Sequence, residues 1–369
     1  MTAPATDPAA QAAAQADRTG DLPDAAPTAN DVRRRLRAEL PDEVFAPRPW
    51  RALWFVPLVA TVAASMTTLI VVRPAWYWSL ALALVIGQCF AAMGFLAHEA
   101  LHGALVRPTW LQTALGYLGF GPVAVSPHLW RVWHNQVHHG HTNQGNSDPD
   151  GFGTLRRYER APSTRFVARL APGSGHWASW FFLGYWFTFH GQVVLWIQSR
   201  YMRSFARLNR RRAKLDTLAC VLVWLGIAVL AGRQVVFVMV IPVIIGNAIV
   251  MSYIATNHFM RPQTRTDDPV VNSMSVNVPR WVDRLHFNFS HHVEHHLFPR
   301  MSGANAPAVR TWLLENDGDR YVSPPHWLAL ALLYGTPRVY LDRTTLCDPE
   351  DPSRRVSTDE LADVLTAAR

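Results

Sequence analysis

The chain has 369 residues, 49% of them hydrophobic, with fifteen Trp and a formal net charge of +8. Its apolar residues come in long blocks and not at the periods of a water-soluble core, which excludes an ordinary soluble domain. The surplus Arg lies in short runs beside those blocks, a placement that suits anionic lipid headgroups and offers no stripe for a nucleic acid, so no nucleic-acid partner is expected.

Residues 1–45 are rich in Ala, Pro, Asp and Gln, lack the charged start and apolar core of a secretory signal, and predict a flexible N-terminal tail. Residues 52–72 and 75–97 follow, each long enough to cross about 30 Å of hydrocarbon as a helix and each free of Asp, Glu and Lys. Arg73 and Pro74 mark the turn between them. A second apolar pair, 217–232 and 234–256, is broken only at Gly232 and Arg233, and its first member is short enough to need flanking residues to reach the interfaces. The segment 176–197 is apolar and aromatic. It reads as an interfacial or re-entrant helix with Trp177, Trp180, Tyr185 and Trp186 at headgroup level, in competition with a fifth span. Residues 346–369 read as a C-terminal tail. Cys89, Cys220 and Cys347 have no paired spacing and read as small core residues.

Positive loops tend to stay on the cytoplasmic side. Arg200, Arg203, Arg207, Arg210, Arg211, Arg212 and Lys214 precede the second pair, and Arg33, Arg34, Arg35, Arg37, Arg48 and Arg51 precede the first, whereas the far turns carry only Arg73 and Arg233. Both hairpins therefore open toward the cytosol.

Ten of the sixteen histidines fall in three clusters on that same side: His98 and His102; His134, His138, His139 and His141; His291, His292, His295 and His296. In a helix, residues four apart share a face, so His98 and His102 aim at one point. His134 and His138 share a face while His139 is turned by about 100°, so one helix can serve two neighbouring metals. His292, His295 and His296 form a compact arc; His291 with His292 and His295 forms an equally compact one. An isolated imidazole here would read as an interfacial side chain bonded to backbone, but three clusters together imply more than one metal. Imidazole suits iron, and open positions can remain for dioxygen; copper fits the same ligand type. The string His98-Glu99-Ala100-Leu101-His102 also matches the zinc-protease pattern, with Asp148 or Asp150 as a conceivable third ligand. A catalytic zinc takes three protein ligands, which leaves the other imidazoles without a role.

The boxes His98-x-x-x-His102, His134-x-x-x-His138-His139 and His292-x-x-His295-His296, the last followed by Leu297-Phe298-Pro299, resemble the membrane fatty acid desaturase family. So do His141-Thr142-Asn143 and Asp148-Pro149-Asp150. The likeness runs over residues 50–302. It implies an all-α integral membrane protein of two transmembrane hairpins plus interfacial helices, a membrane domain over residues 46–345, and a cytosolic helical cap that holds the metal site. It implies two iron ions held by His98, His102, His134, His138, His139, His292, His295 and His296, with His258 as a ninth ligand. Taken alone, His258 reads as an interfacial imidazole. Asn288, four residues before His292, resembles the family's Asn and favours His292 over His291. Glu99, His141, Asp148, Asp150, Asn288 and Glu294 are candidates to support the ligands from behind.

The implied activity is oxygen-dependent insertion of a double bond into an acyl chain, as an acyl lipid or acyl thioester. The residues carry no cytochrome b5 segment, no cysteine set for an iron–sulfur cluster and no dinucleotide fingerprint, so a separate donor is expected: a ferredoxin, or a cytochrome b5-like protein with its reductase. The rivals are a related di-iron hydroxylase or carotenoid ketolase, and more distantly the intramembrane zinc protease.

Overall fold

The computed structural model describes residues 28–351 and 353–369. It is overwhelmingly helical, as the apolar blocks require. Among the described residues four helices are long and apolar enough to cross a bilayer: Asp42–Val72, Trp76–His102, Arg210–Gln234 and Val236–His258. They are referred to below as the first to fourth spans. Arg73 takes the left-handed conformation at φ 53° and turns the first pair back on itself, while Gly232 at φ 52° does so for the second. Val71, Val72, Trp76, Leu222, Val223, Val229 and Leu230 are exposed, an apolar jacket that only hydrocarbon would satisfy.

The second span is the central one: 67% of its apolar window is buried inside the protein, against 11% for the third. Small residues let it meet the fourth span closely. A Cβ placed on Gly87 would lie 2.7 Å from Ile245 Cβ, and one on Gly246 would lie 3.2 Å from Phe90 Cβ. In lipid, where burial supplies no net drive between helices, such close approach is what holds two spans together. The consequence is positional. The ends of these two spans carry His98, His102 and His258, and tight packing below brings those ends together.

The aromatic segment forms a helix over residues 177–201 that is not among the four crossing helices. Trp177, Trp180 and Phe181 are exposed. Thr188 docks on the fourth span, its N–H and hydroxyl donating to Asn247 Oδ1 at 3.0 and 3.1 Å.

Beyond the span ends lies a cap of short helices. Of the segment 1–45, residues 1–27 lie outside the described residues, while Ala29–Glu39 is a helix with a Thr28/Asp31 capping box. Its Val32 and Leu36, one turn apart, pack with Val293, Leu297, Val309, Trp312 and Leu313 in a second apolar cluster. Two apolar residues amid Arg and Asp make too narrow a stripe to stand out in a polar leader, which is why composition alone reads this region as a tail. The C-terminal segment is also packed. Strands β1 (Val339–Tyr340), β2 (Thr345–Cys347) and β3 (Arg355–Ser357) form a small antiparallel sheet. The helix Thr358–Ala367 then buries Leu361 and Leu365 in the main core.

Candidate metal centre

The second span ends where Gly103 turns left-handed at φ 79°, its N–H bonded to the Ala100 carbonyl at 3.0 Å. His98 and His102 occupy the final turn. Across from them, the second histidine box lies on a helix that changes its winding: α-helical over Pro127–Val132, then a π-helical turn over Trp133–His138. In a π-turn the repeat lengthens toward five residues. His134 therefore faces His139, Nε2 to Nε2 at 3.1 Å, and His138 points elsewhere. An ideal α-helix pairs His134 with His138 instead; those two rings do stack, with centroids 5.1 Å apart, and lie near enough to share a group with Asp150, but the 3.1 Å approach of His134 is to His139. Spacing alone does not reveal the change of winding.

Two sets of imidazoles result. In the first, His98 Nε2 lies 2.8 Å from His295 Nε2, and His295 Nε2 lies 3.1 Å from His139 Nε2. His134 joins through His139, and His102 has its ring 4.7 Å from those of His139 and His295. In the second, His258 Nε2 lies 2.6 Å from His292 Nε2, with His138 and His296 closing the group at ring separations of 4.8 and 5.1 Å from His258. The sets abut where His139 stacks on His296 at 4.1 Å. All nine sequence-predicted histidines are thus brought together. His291 stands apart, its Nδ1 3.0 Å from Ser290 Oγ.

The donor set fits metal ions. His102 Nε2 and His296 Nε2 are buried without a hydrogen-bond partner, a condition costing about 1–3 kcal/mol per group unless something satisfies it. Imidazoles sharing an ion at a bond length of about 2.1 Å and at right angles would set their nitrogens about 3 Å apart. The close pairs here span 2.6 to 3.1 Å. His134, His139, His292 and His296 are held well below the usual imidazole range, first by burial and then by neighbouring imidazoles, and His295 is pushed down to about 3 by burial and by His138. They are neutral at physiological pH, the form that donates to a metal. His138 differs. Burial opposes its charge, but Asp148 and Asp150 outweigh burial and raise it to about 9. Its Nδ1 lies 3.1 Å from Asp148 Oδ1, so this carboxylate holds a proton on Nδ1, and an ion bound at Nε2 would displace the proton carried there.

The other supporting candidates sort by their contacts. Asp150 Oδ1 accepts from Trp133 Nε1 at 2.8 Å and lies 2.9 Å from His190 Nε2. Glu294 is fully buried behind the third box. Burial opposes its ionisation, but Arg310 at 3.0 Å and hydroxyl donors from Ser275 and Tyr321 at 2.5 and 2.6 Å win, and its carboxyl stays below the usual range. His141 is turned toward the Val137 carbonyl, with Nδ1 3.0 Å away, and Asn288 is a left-handed turn residue at φ 62°. Glu99 turns to other partners. Its carboxylate accepts from Arg51 at 2.6 Å, Ser302 Oγ at 3.3 Å and Gly303 N at 3.2 Å, tying the start of the first span to the loop after the third box. A carboxylate committed in this way cannot act as the base of a zinc protease, and Asp148 and Asp150 lie at His138, with Asp150 grouped with His134 and His138 and not with the His98/His102 pair of the protease pattern.

Sequence reasoning missed His190, which lies in the aromatic segment and meets Asp150 only through the fold. It missed Arg33 as well. Its Nε donates to the Leu297 carbonyl at 3.0 Å and its Nη2 to the His296 carbonyl at 3.4 Å, closing the C-terminal end of the short third-box helix His292–Leu297.

Beneath the imidazoles runs an apolar cavity that is open at its mouth. Its wall passes from His98, His134, His138, His258 and His292 down the fourth span through Ile254, Met251, Val250, Asn247 and Val243. Phe90, Gly94, Phe95, Phe120, Trp186 and Phe187 face them. Asn247 brings no free polar atom to this wall: Oδ1 accepts twice from Thr188, and Nδ2 donates to Thr188 Oγ1 and to the Val243 carbonyl.

Residues 74–328 match the model of a protein family described as fatty acid desaturase. Among curated proteins, a Sorghum bicolor protein named as a probable fatty acid desaturase is 30% identical over a match covering 36% of this chain and 35% of that protein. The chain thus spans about a third of that relative in the match. A chloroplastic omega-6 fatty acid desaturase of Spinacia oleracea is 22% identical, covering 85% of this chain and 71% of that protein. An sn-1 oleoyl-lipid 12-desaturase of Synechocystis sp. is 22% identical, covering 82% and 87%.

Proposed function

This chain belongs to the fatty acid desaturase family, and we propose that it inserts a carbon–carbon double bond into the acyl chain of a membrane lipid or acyl thioester at a pair of iron ions. The observation that carries this reading is the junction of two imidazole sets at the head of a long apolar cavity. His98, His102, His134, His139 and His295 would hold one ion, and His138, His258, His292 and His296 the other. Iron bound there would supply, with dioxygen, the oxidising power to remove hydrogen from an unactivated methylene, which no side chain can do.

The balance is –CH2–CH2– plus dioxygen, two electrons and two protons, giving –CH=CH– and two waters. The residues contribute geometry. Val250, Met251, Phe95 and Phe187 exclude water and align the hydrocarbon, and alignment is worth a large part of such a barrier. Asp148 keeps the His138 proton on Nδ1. Electrons would come from a separate ferredoxin, or a cytochrome b5-like donor with its reductase, docking at a basic surface on the cytoplasmic side, an orientation that the Arg distribution supports for the metal site. The catalytic unit is taken as residues 46–345, with the packed N- and C-terminal segments as braces on it.

Expression in a host of known lipid composition, alongside a donor system, tests the proposal by mass spectrometry of the acyl chains. Loss of two hydrogens without added oxygen is the expected result. An oxygen added in place of that loss would assign the chain to the hydroxylases or ketolases.

A further inference from the structure

The glycines on the cavity wall are of two kinds. A Cβ on Gly119 would stand 2.3 Å from Ala97 Cβ and 2.4 Å from the Met93 carbonyl oxygen, and one on Gly246 would stand 3.2 Å from Phe90 Cβ, so helix packing requires both. Gly94 is different. A Cβ there would meet one atom within 4 Å, Val250 Cγ2 at 3.9 Å, which is ordinary contact. Its φ is not positive, and it sits inside the helix Trp76–His102, where glycine is disfavoured against alanine. Neither backbone conformation nor a neighbouring helix accounts for it.

Two further facts give the missing side chain a use. Gly94 is buried and lines the cavity, and it lies four residues before His98, one turn beneath that imidazole on the same face. The facing wall at this depth is Val250 and Met251, and the one amide nearby, Asn247, has its donors and acceptors engaged. The space is shaped for hydrocarbon.

We propose that Gly94 is a specificity-determining residue: the room left by its absent side chain is the passage by which the acyl chain descends past the imidazole cluster, so side-chain volume at this position selects which chains fit. The proposal rests on the desaturase reading and refines it. A glycine kept for clearance makes an unusual prediction, because helix propensity and substrate fit then pull in opposite directions.

The experiment compares full-length wild type, Gly94→Ala and Gly94→Leu, with Gly226→Ala as control. Gly226 lies on the exposed face of the third span, and a Cβ there meets nothing within 4 Å, so its substitution reports helix propensity alone. The readouts are melting temperature, iron content, crosslinking by photoactivatable fatty acids of graded length, and unsaturated product by chain length. Gly94→Ala is expected to melt no lower than wild type and to keep its iron. It should lose product and crosslinking from the longest chains by ~10-fold, the scale at which an apolar pocket discriminates one methylene. Gly94→Leu should extend that loss to shorter chains. A length profile unchanged in Gly94→Ala, or in a Gly94→Leu protein that retains iron, would overturn the inference. Absence of any unsaturated product from the wild type would instead defeat the desaturase reading, and the crosslinking profile would still decide whether Gly94 provides the clearance.

Discussion

Asp148 and His138 show how one carboxylate can set the state of a ligand. Because Asp148 holds the proton on Nδ1, Asp148→Asn removes the charge that orients the imidazole, and iron affinity should fall about 10- to 100-fold, readable by competition with a chelator. Glu294 behaves differently under substitution. Glu294→Ala leaves Arg310 buried and unpaired, and should destabilise the fold by roughly 3–5 kcal/mol in denaturation experiments. Protonation supplies a third test. His286 and His291 are pushed down to about 4, in both cases chiefly by burial, whereas an unfolded chain protonates its imidazoles near ~6.5. Between those values the unfolded state binds more protons, so stability is fully present above about pH 6.5 and is lost as pH falls toward 4. A melting temperature that held constant or rose over that window would refute this. At this scale the sequence was informative about identity and silent about direction: clustered imidazoles marked the candidate ligands, Asn288 already favoured His292 over His291, and the structure adds the direction, with His292 Nε2 2.6 Å from His258 Nε2 and His291 turned to Ser290.

Helices deliver these side chains, and the irregular ones matter most. The π-turn over Trp133–His138 sends His134 to one set and His138 to the other, a split that periodicity at 3.6 residues does not predict. The third box sits on a helix of only six residues, His292–Leu297, too short to hold itself in place. Its support comes from far away in sequence: Arg33 closes its last carbonyls, and Val32 and Leu36 pack beneath Val293 and Leu297. Arg33→Ala is therefore expected to lower iron occupancy and melting temperature while leaving the first span and the lipid association of the protein intact, as judged by membrane fractionation. Wild-type iron content in that variant would count against the brace. The four spans were legible from length and apolarity, because lipid imposes both requirements on sequence. The helix Ala29–Glu39 was not, because its packing depends on a partner 264 residues away that composition does not record.

In the whole molecule, a membrane-embedded pair of hairpins carries an imidazole-lined cap whose histidines all sit at one end of the spans. That end also carries the basic run Arg200–Lys214, so a cysteine placed at Arg211 should be labelled from the cytoplasmic side and one at Arg233 from the opposite side, using impermeant maleimides on sealed membranes. Labelling of both from one side would break the hairpin topology. The deeper proposition is that nine imidazoles converge to hold two ions in place of one. Metal analysis of the full-length protein, purified under reducing conditions after growth with iron, addresses it. Two iron atoms per chain are predicted, falling together when His139, which bridges the two imidazole sets, is replaced by Ala. One metal per chain, or stoichiometric zinc that survives His139→Ala, would refute the two-ion centre.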